Sequence, residues 1–257
     1  MSRDTVEITK STKIEEGPRP LRILFLSDRT GGGHQASAEA LGKQFQKLHP
    51  GSEYEIVNLW TDHGDVLFRG AVQSYKHMSA NPWQWRAFYH LSNNKATEVY
   101  CKTHAKMLLS VGIKERIQAF DPDAVISVHP TMNSVPQLQT KLIAKELGKH
   151  IPFYTVVTDL GSAHSVWFEK GVNRVFVASK PLYEMARYRG IPEHNIEMVG
   201  LPIRDGFSIQ AQNLKDRTTD HGKNYQSKVR LKLGLDADNP IVLVMGGGKV
   251  LGLCPTL

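Results

Sequence analysis

Gly31, Gly32, Gly33 and His34 stand where a short apolar run gives way to a helical pattern. Glycines let the backbone turn sharply and approach a ligand with no Cβ in the way, and a helix behind them aims its unpaired N–H groups into the same space. Phosphate or diphosphate is the usual occupant of such a place. At the helix start the dipole disfavours an imidazolium, so His34 reads as a neutral ring able to accept a proton from a hydroxyl. The plain alternative is a helix residue bonded to a loop carbonyl. Three more segments carry histidine just past an apolar run: Asp62 with His63, His129 with Pro130, and Asp159 to His164. One such histidine is ordinary. Four suggest a polar cleft, although loop histidines also bond simply to backbone groups. Asp62 and Asp159 are candidates to orient a histidine or to accept a bond from a substrate hydroxyl, against the commoner use of loop aspartates as caps.

Other chemistries fit less well. No Gly-Lys-Ser or Gly-Lys-Thr follows the glycines, which excludes a Walker loop. Gly31, Gly33 and Ala36 satisfy the G-x-G-x-x-A form of a dinucleotide fingerprint, but that pattern is weak without an acidic partner after the second strand. Ser27 lacks a G-x-S-x-G setting and neither cysteine has a catalytic partner nearby in the sequence, so covalent catalysis is disfavoured.

The elements that must position these residues alternate. Apolar runs at Leu21 to Leu26, Tyr54 to Trp60, Ala124 to Val128, Phe153 to Val157, Arg174 to Val177 and Ile196 to Val199 read as strands. Helical periodicity from His34 to Leu48 places Ala38, Leu41, Phe45 and Leu48 on one side. Further helices are expected at Ala71 to Met78, Trp83 to His90, Thr97 to Phe120, Ser134 to Leu147 and Pro181 to Tyr188. In the longest of these, Val99, Met107, Leu108, Ile113 and Ile117 are core candidates and Lys102, His104, Lys106, Lys114 and Arg116 a solvated face. The pattern predicts an α/β, Rossmann-like, doubly wound parallel sheet, in which turns after strands share one edge. All four histidine loops are therefore expected on that edge.

The 257 residues are 40% hydrophobic and 22% charged, an ordinary globular composition, and 32 Lys and Arg against 25 Asp and Glu leave a net charge of +7. An anionic partner follows from that excess: nucleotide, anionic lipid surface or nucleic acid, with solubility alone as the plain alternative. Two distant cysteines, Cys101 and Cys254, argue against a disulfide framework or a metal site. No apolar segment approaches the roughly 20 residues of a transmembrane helix, and the N-terminal stretch has neither a secretory core nor an acid-poor transit composition. Aromatic residues at Trp83, Trp85, Phe88 and Tyr89 read as core, or, if partly exposed, as a membrane-interface set.

The segments SDRTGGGHQASAEAL, NLWTDH, ISVHP, VVTDL, VGLPIR and VLVMGGG, in this order, resemble the monogalactosyldiacylglycerol synthases, a plant and algal galactolipid family. The resemblance implies two Rossmann-like domains in the GT-B arrangement, as in a peptidoglycan glycosyltransferase. The implied reaction is metal-independent, inverting transfer of galactose from UDP-galactose to diacylglycerol at a plastid envelope. It needs no cofactor beyond the UDP-sugar donor and involves no nucleic acid, while the basic excess and the aromatic stretch Trp83 to Tyr89 point to anionic membrane lipids as a partner. By the same resemblance His34 is the base or an acceptor-site residue, Trp167 an aromatic of the lipid-acceptor region, and Gly246, Gly247 and Gly248 part of the donor site. Expected divisions are a loose leader over 1–20, an acceptor-side domain over 21–204, a polar linker over 205–224, and the truncated start of a donor domain over 225–257. A related UDP-glucose or UDP-N-acetylglucosamine lipid transferase, and a non-catalytic lipid- or nucleotide-binding module, are the competing functions.

Overall fold

The computed structural model describes residues 19–28, 32–59, 77 and 81–242. Six strands, β1 (Arg22–Leu26), β2 (Glu53–Val57), β3 (Ala124–Ser127), β4 (Phe153–Val156), β5 (Arg174–Val177) and β6 (Ile196–Met198), form one sheet in the order β2-β1-β3-β4-β5-β6. Every pairing is parallel, with Leu26 level with Val57 on one side and Ser127 on the other. β1 and β3 are buried along nearly their whole length, which is why they read as continuous apolar runs rather than alternating ones.

The two faces of β1 feed separate cores. Ile23 and Phe25 pack with Ala38, Leu41 and Phe45 of α1 (Gly32–Leu48). Leu24 and Leu26 pack on the opposite side with Leu109, Ile113 and Ile117 of α3 (Lys95–Phe120), Ile143 of α4 (Ser134–Leu147) and Leu182 of α5 (Lys180–Tyr188). Where α1 crosses β2, a Cβ on Gly42 would lie 2.6 Å from the Tyr54 ring, so close approach requires glycine there.

α2 (Pro82–Ser92) precedes α3, whose first turn is capped by Asn94 accepting from the Ala96 N–H at 2.8 Å. α3 departs from the sequence expectation. Leu109, Ile113 and Ile117, spaced by four, face the core as predicted for the last two, whereas Val99, Met107 and Leu108 are exposed. Lys102 is not on a solvated face either. It bridges Glu98 and Glu169, and Glu98 also pairs with Arg189, which ties α3 to the end of α5. Burial alone would push the Glu98 carboxyl up, but the hydrogen bonds from Lys102 and Arg189 outweigh it and hold the group ionised.

The stretch read as a linker contains α6 (Asp205–Leu214) and the start of α7 (Asp220–Lys232). Its polar composition is compatible with helix because neither element is required to bury an apolar face: α6 has no buried residue, and Asp205 is held from α1 by Gln44 and Lys47. Residues of the expected leader before Arg19, the expected helix over 71–78 apart from His77, and the glycine turn at Gly246 to Gly248 lie outside the described residues.

Candidate active site at the sheet edge between β1 and β3

β1 leads through α1 to β2 on one side, and β3 leads through α4 to β4 on the other. Connections that leave neighbouring strands in opposite directions open a crevice beyond the strand ends, where α/β proteins bind ligands. His34, in the first turn of α1, meets His129, just past β3, edge to face with ring centroids 4.8 Å apart. The loop after β4 supplies the third side: Thr158 Oγ1 lies 2.6 Å from His34 Nδ1, and the Trp167 indole is centred 5.9 Å from the His34 ring. Three of the predicted loops thus converge. Gly31, Asp62 and His63 lie outside the described residues. Gly32 and Gly33 open α1, exposed, and an added Cβ at either would meet nothing within 4 Å, so no contact among the described residues demands glycine there.

His129 and His164 have local duties. Each begins a short 3-10 turn and caps it, Nδ1 of His129 accepting from the Thr131 N–H at 3.4 Å and Nδ1 of His164 from the Val166 N–H at 3.3 Å. Nε2 of His129 lies 3.9 Å from Asp28 Oδ2, and Nε2 of His164 is 3.0 Å from Ser92 Oγ. His164 therefore joins the loop after β4 to α2 rather than completing the pair of His34 and His129. Asn133, fully buried, fixes the loop after β3: its Nδ2 donates to the His129 and Pro130 carbonyls, and its Oδ1 accepts from Thr155 Oγ1 at 2.8 Å.

Two expectations change. Asp159 does not bond to a histidine; its Oδ2 accepts from the Trp167 indole Nε1–H at 2.7 Å, and it acts on His34 only through space. Trp167 is 0% exposed, so it backs the His34 ring as a wall instead of presenting its face to an acceptor. Thr158, Asn133 and the buried pair of Asp28 and Asn58, whose amide donates at 2.6 Å, carry site geometry that the sequence reading did not single out. The strand-end positions of Asp28, Asn58 and Thr158 were the available signal.

Burial lowers the pKa of His34, opposed in part by Asp159, by a hydrogen bond to the Val128 carbonyl and by Asp28. Burial, and next the neighbouring His34, push His129 down to about 3, against the pull of Asp28. Both rings are neutral at neutral pH. Since an unfolded histidine titrates near 6.5, the unfolded chain binds the extra proton first as pH falls, and stability drops between about 6.5 and about 3. Urea unfolding at pH 7 and pH 4.5 is expected to show His129 contributing about 2–3 kcal/mol of the loss. His129→Asn keeps an acceptor for the turn and should flatten that part of the slope; an unchanged slope would assign the loss to other groups.

Ser27, Asp28, Gln35, Ile56, Val57 and Asn58 line a cavity of about 40 Å³, room for a water but not a sugar. A larger groove of about 630 Å³ runs between α1 and the start of α6, beside Lys43, Arg204 and Phe207, and includes none of the described histidines.

Residues 34–203 match the family described as Monogalactosyldiacylglycerol (MGDG) synthase. The chain is 35% identical over 249 residues to monogalactosyldiacylglycerol synthase 1, chloroplastic, of Arabidopsis thaliana, covering 92% of this chain and 42% of that protein. It is 33% identical over 247 residues to a probable chloroplastic monogalactosyldiacylglycerol synthase of Glycine max, with coverage of 92% and 42%. The chloroplastic enzyme of Spinacia oleracea is 32% identical over 249 residues, with coverage of 92% and 43%. The chain thus spans less than half the length of these relatives. The solved apo structure of the lipopolysaccharide outer core galactosyltransferase WaaB is 14% identical and superposes with a TM-score of 0.42 over 70% of this chain and 45% of its own, a likeness too slight to carry an argument.

Proposed function

The chain belongs to the monogalactosyldiacylglycerol synthase family, and from that premise we propose that the complete protein transfers galactose from UDP-galactose to the free hydroxyl of 1,2-diacylglycerol. The described domain serves the acceptor side. The acceptor oxygen attacks the anomeric carbon, the bond to UDP breaks with inversion, and the hydroxyl proton passes to His34. The observation that supports this reading most is a neutral histidine in the first turn of α1, set in the crevice between β1 and β3 and held by the loop after β4. Gly246, Gly247 and Gly248 belong to the donor side. Assay of the complete protein with UDP-galactose, UDP-glucose and UDP-N-acetylglucosamine against diacylglycerol tests the assignment. Galactose transfer is expected to dominate; preference for another sugar, or no transfer at all, would overturn it.

The acceptor is a membrane lipid, and α2 with α3 supplies a surface suited to meet it at a plastid envelope. Trp83 is 73% exposed, Met107 78% and Val111 69%, with Leu91 and Tyr100 also exposed. Along α3, Tyr100, Met107 and Val111 lie at spacings of seven and four, on the side opposite Leu109 and Ile113. Arg86, Lys95 and Lys106 are exposed on the same two helices. Apolar and aromatic groups flanked by basic ones suit the headgroup boundary of an anionic membrane. No helix among the described residues is long and apolar enough to cross one. In vesicle sedimentation, binding is expected to rise with anionic lipid and weaken in high salt, each basic residue near the surface contributing about 1 kcal/mol. Met107→Glu with Val111→Glu should reduce binding to neutral and anionic vesicles alike. Equal binding to both lipids by the unaltered protein would refute the charge argument.

A further inference from the structure

We infer that Thr158 is a positioning residue that fixes the tautomer of His34, keeping the proton on Nδ1 and the lone pair on Nε2. Thr158 Oγ1 is 2.6 Å from His34 Nδ1, and the same hydroxyl lies 3.5 Å from the Val128 carbonyl oxygen, its donor side towards that oxygen. A hydroxyl can donate or accept, but a carbonyl only accepts. With the Thr158 hydrogen directed at Val128, the remaining lone pair on Oγ1 faces Nδ1 and requires a hydrogen there.

The other two site histidines are set the opposite way. His129 and His164 each accept a backbone N–H at Nδ1, so their hydrogens sit on Nε2. His34 alone among the three keeps an unprotonated Nε2. Asp159, the carboxylate of the same loop, does not perform this task, since it accepts from the Trp167 indole. When a proton arrives at Nε2, the imidazolium retains its Nδ1–H bond to Thr158, so the ring need not reorient during transfer. That consequence for turnover rests on His34 being the base proposed above; the tautomer does not.

The test is nitrogen NMR of the complete protein labelled with 15N at histidine, with the His34 signals assigned by their loss in His34→Gln. A protonated Nδ1 and bare Nε2 are expected for His34, and the reverse for His129 and His164. Thr158→Val keeps the shape and removes the hydroxyl, and should shift the His34 tautomer ratio by about fivefold, the worth of one ordinary hydrogen bond. The His129 and His164 signals should stay in place, which reports that the site is still folded. Thr158→Ser should restore the original ratio. In kinetics, Thr158→Val should lower kcat by a similar factor with KM for both substrates unchanged. A bare Nδ1 on His34 in the unaltered protein, or an unchanged ratio in Thr158→Val, overturns the inference. A confirmed tautomer together with full activity in His34→Ala would leave the inference standing and remove the base role instead.

Discussion

His34→Ala in the complete protein is expected to lower kcat about a hundredfold or more while leaving affinity for UDP-galactose largely as it was. The split follows from position. The ring lies in the crevice fed by β1, β3 and β4, which we propose to be the acceptor side, so its loss is expected to remove proton acceptance in the transition state rather than a donor contact. The nearest histidine among the described residues is not expected to take over. His129 is 4.8 Å away, but burial, the largest cause of its lowered pKa, still acts in the variant and keeps it a weak base, and its Nδ1 is already occupied by the Thr131 N–H. The acidic limb of the kcat profile is expected below the ordinary histidine value of about 6.5, because burial lowers His34. Steady-state kinetics with a separate donor-binding titration measures both quantities. Turnover within a few-fold of the original would make His34 structural and place the base elsewhere.

Much of this architecture is legible in the sequence because the two periodicities are clean. β1, β3 and β4 are buried on both faces and read as short apolar runs, and α4 starts and stops where the pattern says, with Pro136 in its first turn and Gly148 left-handed at its end. The convergence of His34 and His129 follows from the parallel order alone, since loops after strands must share an edge. α3 marks where periodicity stops deciding. It carries apolar residues on opposite sides, Leu109 and Ile113 inward, Met107 and Val111 outward, and nothing in the spacing says which side meets the sheet.

The partners of polar groups were harder still. Asp159 has His164 five positions away and Trp167 eight, and a loop conformation, not a helical or strand period, chose the indole. Thr158 gains its importance from His34, 124 positions earlier in the chain. Such pairings exist only once the sheet has assembled. The same holds for Asp205, whose bonds to Gln44 and Lys47 dock a helix that composition alone reads as linker.

Trp167→Ala is expected to destabilise the domain by about 3–5 kcal/mol, the range for emptying a large aromatic site. Two effects add. The side chain is 0% exposed and packs with the core that contains Met132, Val157 and Phe168, so truncation leaves a cavity that those neighbours fill only in part. Removing Nε1–H also deprives Asp159 of its 2.7 Å donor. Trp167→Phe largely separates the two, since it keeps most of the apolar contact and loses the donor; about 1–2 kcal/mol is expected for the donor, towards the low end because Asp159 is partly exposed and water can replace the indole. Urea unfolding at constant m-value reads the difference directly. The phenylalanine variant should also keep the wall behind His34, so its kcat is expected to fall less than that of the alanine variant. Near-equal stability of both variants and the original protein would mean that the indole does not hold the loop after β4, and that the placement of His34 depends on Thr158 and the end of β3 alone.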